Sequence, residues 1–159
     1  MRSIIKEILM IMVMFFLTSC ENNVDFKKNQ NYFEKENDLL LYKGNPYTGQ
    51  IFEKYTYSGP LKYEYSFKNG KQDGDQFEYE EDGSLSWKGN CKDGKKHGEQ
   101  VSYYNGFISE INNFKDGVLE GDQTKFYGNG EIREKINIKN GEKLYIKKEE
   151  YYSEWLRYI

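Results

Sequence analysis

Two cysteines, one histidine and a series of turn carboxylates are the residues with which this chain could do covalent or metal chemistry. A catalytic thiolate needs a base beside it in space, and for Cys91 the sole histidine, His97, is the one imidazole on offer. His97 stands where Asp73 and Glu120 stand in neighbouring segments, which marks a polar turn position. Cys91 belongs to a series with Phe67, Phe114 and Ile138, where a thiol serves as a small buried hydrophobe. The acids Asp73, Asp75, Asp82, Asp93, Asp116, Glu120 and Asp122 could in principle bind calcium or cleave glycosides. They recur with the turns, so solvated turn chemistry accounts for them. The sequence has no EF-hand loop, nonapeptide calcium repeat, phosphate-cradling loop, zinc spacing or Gly-x-Ser-x-Gly. The expectation is a protein that is not an enzyme, with no metal, no cofactor and no small-molecule substrate.

Cys20 calls for different chemistry. Arg2 and Lys6 form a basic start, Ile8 to Phe16 is an unbroken apolar run, and Leu17-Thr18-Ser19-Cys20 follows. Nine apolar residues at ~1.5 Å each fall far short of a ~30 Å hydrocarbon core; the length suits a signal-peptide core. The four residues ending in Cys20 resemble a bacterial lipobox. That resemblance implies a diacylglyceryl thioether on Cys20, which becomes the mature N-terminus after residues 1–19 are removed. Sulfur is the atom nucleophilic enough at neutral pH to take the lipid, and acyl chains at ~0.8 kcal/mol per buried methylene anchor without a protein span. The expected address is the cell envelope, lipid-anchored, with inner and outer membrane not distinguished. Residues 20–38 then read as a flexible tether with Val24, Phe26, Tyr32 and Phe33 scattered along it.

The elements that carry the remaining residues follow from composition and period. The chain has 159 residues, 37% hydrophobic, 17% aromatic and 31% charged, with a net charge of -3. That suffices for one modest core. The mild acidity argues against a nucleic-acid partner, which selects a basic face. Phe67-Lys68-Asn69-Gly70 recurs as Cys91-Lys92-Asp93-Gly94, Phe114-Lys115-Asp116-Gly117 and Ile138-Lys139-Asn140-Gly141, at spacings of 24, 23 and 24 residues. Gly74, Gly98 and Gly121 form a second series, and Gly59, Gly83, Gly106 and Gly130 a third.

Between glycines the apolar period is two. The third residue after Gly49, Gly74, Gly98 and Gly121 is Phe52, Phe77, Val101 or Thr124, and the second and fourth are mostly polar. On the return strand, Leu61, Leu85, Ile108 and Ile132 stand six residues before Phe67, Cys91, Phe114 and Ile138, an even offset that predicts one shared face. Ser66, Asn90, Asn113 and Asn137 then make a polar row on the other. Asn-Gly and Asp-Gly pairs at the joints favour hairpin turns. The fold expected is all-β: an antiparallel meander of β-hairpin repeats over residues 39–145, a single extended twisted sheet of eight or nine strands. Residues 146–159 read as a C-terminal cap, a short helix with Tyr151, Tyr152, Trp155, Leu156 and Ile159 on one face.

Gly44-Asn45-Pro46-Tyr47-Thr48-Gly49 and the four Lys-Asn/Asp-Gly units resemble the MORN-variant repeat, found in the YwqK-type antitoxin family and in many bacterial lipoproteins. The resemblance covers about two-thirds of the chain and implies a binding scaffold. It makes the expected function membrane-anchored protein binding, in one version an antitoxin or immunity protein that masks a toxin. The alternative is an envelope structural or surface lipoprotein that binds glycan or cell wall. Tyr55, Tyr104 and Tyr127, each six residues after a unit's internal glycine, are the candidate partner-binding residues, since ordering a tyrosine costs little entropy.

Overall fold

The computed structural model describes residues 23–145; the leader, Cys20 and the cap of 146–159 lie outside the described residues. In chain order the elements are β1 (Asn23–Asp25), α1 (Phe26–Asn29), a 3-10 turn (Gln30–Tyr32), β2 (Phe33–Glu36), β3 (Leu39–Tyr42) and β4 (Asn45–Pro46). The repeat strands come next: β5 (Gly49–Lys54), β6 (Leu61–Lys68), β7 (Lys71–Tyr79), β8 (Leu85–Lys92), β9 (Lys95–Tyr104), β10 (Phe107–Lys115), β11 (Val118–Phe126), β12 (Ile132–Lys139) and β13 (Glu142–Tyr145). Strands β5 to β13 pair in sequence order, each antiparallel to the next, and β1 adds parallel to β5. The antiparallel hairpin meander is the architecture of the protein.

Each unit is joined to the next by its turns. At Asn69-Gly70, Asp93-Gly94 and Asp116-Gly117 both residues have positive φ, the geometry whose twist matches the flanking strands. The glycine amide of each turn donates to the preceding unit, from Gly70 to Tyr47 O, Gly94 to Gln72 O and Gly117 to Lys96 O, at 2.7 to 2.8 Å. Thr48 Oγ1, Asp73 Oδ2 and Glu120 Oε2 accept the neighbouring amides of Asn69, Asp93 and Asn140. Those carboxylates therefore stitch one turn to the next.

Two periodic irregularities set which residues share a face, and they correct the even-offset expectation. On the return strands one extra residue appears per unit: Glu53 pairs Tyr63 but Lys54 pairs Leu61, so Lys62 is inserted. Ser86, Ser109 and Arg133 are inserted in the same way. A bulge moves the next residue to the other side of the sheet. Leu61, Leu85, Ile108 and Ile132 thus lie opposite to Phe67, Cys91, Phe114 and Ile138. The row Ser66, Asn90, Asn113 and Asn137 shares a side with Phe52, Phe77, Val101 and Thr124 rather than opposing it. Asp75–Asn90 (3.0 Å) and Asp122–Asn137 (2.7 Å) are contacts within that row.

The second irregularity sits at Gly74, Gly98 and Gly121, where the outgoing strand carries two extra residues against its partner. The gap in the ladder is filled by a glutamine two residues later. Gln76 Nε2 donates to Ser66 O and Gly74 O, Gln100 Nε2 to Asn90 O and His97 O, and Gln123 Nε2 to Asn113 O and Gly121 O. Polarity alone predicts the wet side for this place. Instead Gln76, Gln100 and Gln123 are 1%, 3% and 6% exposed, and Ile51 holds the same place in the first unit.

Part of the expected tether is also folded. From Asn23 on, its scattered apolar residues have partners: Phe33 lies 5.2 Å from Phe26, 4.9 Å from Tyr42 and 5.4 Å from Tyr47, centroid to centroid. Strands β2, β3 and β4 form a separate three-stranded sheet, and buried Leu41, Tyr47 and Ile51 centre this end. Burying aromatic area there repays the entropy of ordering the segment.

Gly89 is where backbone and side chain meet most closely. A Cβ there would collide with Gln100 Oε1 and stand 2.7 Å from the Trp87 ring. Gly89→Ala is expected to cost about 1–3 kcal/mol through overpacking and to shift Trp87 fluorescence. A variant as stable as the parent, with unchanged emission, would show that the space at Gly89 is not tight.

Candidate functional site

Among the described residues, two surfaces of the repeat strands collect aromatic side chains that can meet a ligand. The first is a groove across β6, β7, β8 and β9 on the glutamine side, about 530 Å³, lined by Tyr65, Gln72, Glu78, Trp87 and Lys96 among others. Its positions are set by the register: Tyr65 pairs Gln76 and Glu78 pairs Trp87. Tyr63 and Tyr65 stack at 4.8 Å, two residues apart on β6. The Tyr65 hydroxyl donates to Glu78 at 2.5 Å and that of Tyr63 to Glu53 at 3.0 Å. Burial first, and then the carboxylate each hydroxyl faces, push both phenols well above their ordinary range. Lys96 Nζ lies 5.4 Å from the rings of both Trp87 and Phe114, a placement that favours a cation over two π faces. The groove thus offers flat apolar rings flanked by an ammonium, a carboxylate and an amide.

The second surface is at the hairpin ends of β9–β10 and β11–β12. Tyr104, Phe107, Ile108 and Tyr127 are 73%, 61%, 40% and 50% exposed. Tyr104 and Phe107 pair across the Asn105-Gly106 turn, so their rings flank one hairpin tip.

The three tyrosines chosen by spacing do not form one uniform row. Tyr104 and Tyr127 stand on these exposed ends. Tyr55 is half-buried, and its hydroxyl donates to Tyr79 O of the next unit at 2.7 Å. In the second unit the corresponding place holds Glu80. Phe107 stands outside the spacing series, and spacing places Ile108 with Leu61, Leu85 and Ile132 on the apolar face without showing that it is exposed. The glutamine series was legible as a residue type repeating at spacings of 24 and 23, yet its burial was not, because polarity pointed outward.

Cys91 is buried, and burial pushes its thiol up, outweighing the neighbouring Lys96. His97 Nδ1 lies 3.4 Å from the Asp116 carboxylate of the next turn, where Asp73 and Glu120 in their own units instead accept a backbone amide. Asp122 accepts from Lys135 Nζ at 2.9 Å and from Asn137, and these two donors hold its carboxyl below the usual range. Cys20 lies outside the described residues. Among the described residues no helix is long and apolar enough to cross a membrane. No family model, curated protein or solved structure matches the chain.

Proposed function

We propose that this chain is a membrane-anchored, non-enzymatic lipoprotein whose repeat sheet binds another protein, in one version as an antitoxin or immunity protein that masks a toxin. The observation that carries the reading is the exposure of Tyr104, Phe107 and Tyr127 on successive hairpin ends, with Tyr104 and Phe107 paired on one face and Ile108 exposed on the other. Rigid aromatics lose little freedom on contact, and such residues dominate interface energies. The MORN-variant resemblance and the lipobox supply the scaffold and the anchor of this reading. Photocrosslinking residues placed at Tyr104 and Tyr127 in living cells are expected to yield one discrete protein adduct, and the same residue at exposed Glu36 none. No adduct at either tyrosine, or the same adduct from all three positions, would sink the proposal.

A second reading, an envelope lipoprotein that binds glycan or cell wall, is favoured by the groove. Tyr65 and Trp87 offer ring faces to the C–H side of a sugar, while Gln72, Glu78 and Lys96 suit its hydroxyls. Co-sedimentation with purified cell wall, lowered at least tenfold by Trp87→Ala, is the result this reading expects. Retention unchanged by the substitution would remove the groove from it.

A further inference from the structure

We propose that the corner formed by β1, α1 and the loop after β5 docks on anionic lipid headgroups of the membrane to which the chain is anchored. The proposal rests on the reading of Cys20 as the lipid attachment site. Three Cα steps separate Cys20 from Asn23, where the sheet begins, and these span at most ~11 Å. Strand β1 adds ~7 Å to Asp25. The sheet therefore has no long spacer at its anchored edge. Its first corner lies at most ~18 Å of chain from Cys20, short enough for the sheet to lean onto the headgroup layer and bring its charges within a ~8 Å screening length.

The side chains at that corner suit such a surface. Asp25, Lys27, Lys28, Lys54, Thr56 and Tyr57 line a recess of about 240 Å³. Three ammonium groups meet one carboxylate there, in a chain whose net charge is -3. Asp25 is already engaged, 3.3 Å from Lys28, and Glu53 on the adjoining strand faces Lys62 at 3.4 Å. Tyr57 is 86% exposed, with Lys28 Nζ 4.6 Å from its ring centre. An amphipathic ring beside lysines is the pairing favoured at a membrane–water interface, and lysines near an anionic leaflet add attraction in proportion to their number.

The repeat does not require any of this. Lys27 and Lys28 precede the units, and the loop holding Tyr57 lies in the longest outgoing segment. Gly49 to Gly59 spans ten residues, against nine, eight and nine in the later units. Lys27, Lys28, Lys54 and Tyr57 thus gather on the sheet edge that the anchor enters, at the far end of the three-residue strand β1.

The test uses the full chain, processed and reconstituted in two vesicles, pure phosphatidylethanolamine–phosphatidylcholine and the same mixture with about 30% phosphatidylglycerol. Lysine acylation is read residue by residue by mass spectrometry, with distal Lys139 as reference. Lys27, Lys28 and Lys54 are expected to label at least fivefold more slowly in the anionic vesicles, with the protection lost in 1 M salt and Lys139 unchanged. A Lys27→Gln/Lys28→Gln/Lys54→Gln chain should leave Tyr57 equally accessible to iodination in both vesicles, whereas the parent protects it in the anionic ones. Intact mass reads the lipid on Cys20 separately. A lipidated chain that labels equally in both vesicles overturns the headgroup contact alone; an unmodified Cys20 overturns the anchor reading and this inference with it.

Discussion

Replacing Gln76 with leucine will lower the stability of the sheet by about 3–4 kcal/mol, although the two side chains are close in size. Gln76 is almost completely buried, and its amide is the donor for both Ser66 O and Gly74 O, at 3.0 and 3.1 Å. Leucine leaves two carbonyls desolvated and unpaired at the bulge, at ~1–3 kcal/mol each, and its own apolar gain offsets only part of that. Gln50 provides the control. It is half-buried and reaches Ser66 Oγ at 3.4 Å, so Gln50→Leu should cost less than about 1 kcal/mol. Urea midpoints of the two variants against the parent measure the difference. A Gln76→Leu loss no larger than that of Gln50→Leu would mean that the bulge does not depend on its amide bridge.

Alkaline unfolding is the second large effect, and three buried or half-buried phenols set its direction. Burial first, and then the nearby Tyr42, push Tyr47 up to about 12; Tyr63 and Tyr65 are shifted the same way. Below an unfolded value near ~10 these phenols are neutral in both states, and their contribution to stability is fully present. Above it the unfolded chain releases protons that the folded chain retains, so stability falls as pH rises through the folded values. For Tyr47 alone, the rise to about 12 corresponds to ~2–3 kcal/mol lost by pH 12; Tyr63 and Tyr65 add to it. Urea midpoints at pH 8, 10 and 11.5 should drop steeply between the last two. Tyr47→Phe loses its hydroxyl bond to Gln50 O (2.8 Å), and should be weaker at pH 8 yet less sensitive to pH above 10. A parent and a variant with parallel pH profiles would contradict the assignment to Tyr47.

The repeat and its turns were legible in the residues because both are local. Asn and glycine at positive φ are chosen by the backbone at their own positions, and an apolar period of two reports a strand without knowledge of its partner. Spacings of 24, 23 and 24 residues therefore determined the hairpin unit, its number and the antiparallel order. Cys91 could be placed with Phe67, Phe114 and Ile138 for the same reason.

Face and burial are properties of pairing, and only the tertiary structure decided them. A single inserted residue, Lys62, Ser86, Ser109 or Arg133, reverses the sidedness of the rest of its strand without any mark in the alternation pattern. Gln76, Gln100 and Gln123 look like solvent residues because polarity is a property of the side chain, while their burial comes from carbonyls that the Gly74, Gly98 and Gly121 bulges leave open on both strands. Tyr55, Tyr104 and Tyr127 are alike in sequence and differ in space because Tyr79 O lies within reach of the first and the other two stand on exposed hairpin ends. The segment from Asn23 reads as tether because its aromatics are sparse. It folds because Tyr42, Tyr47 and Phe67 lie where Phe33 and its neighbours can cover them, a contact between units that no local window contains.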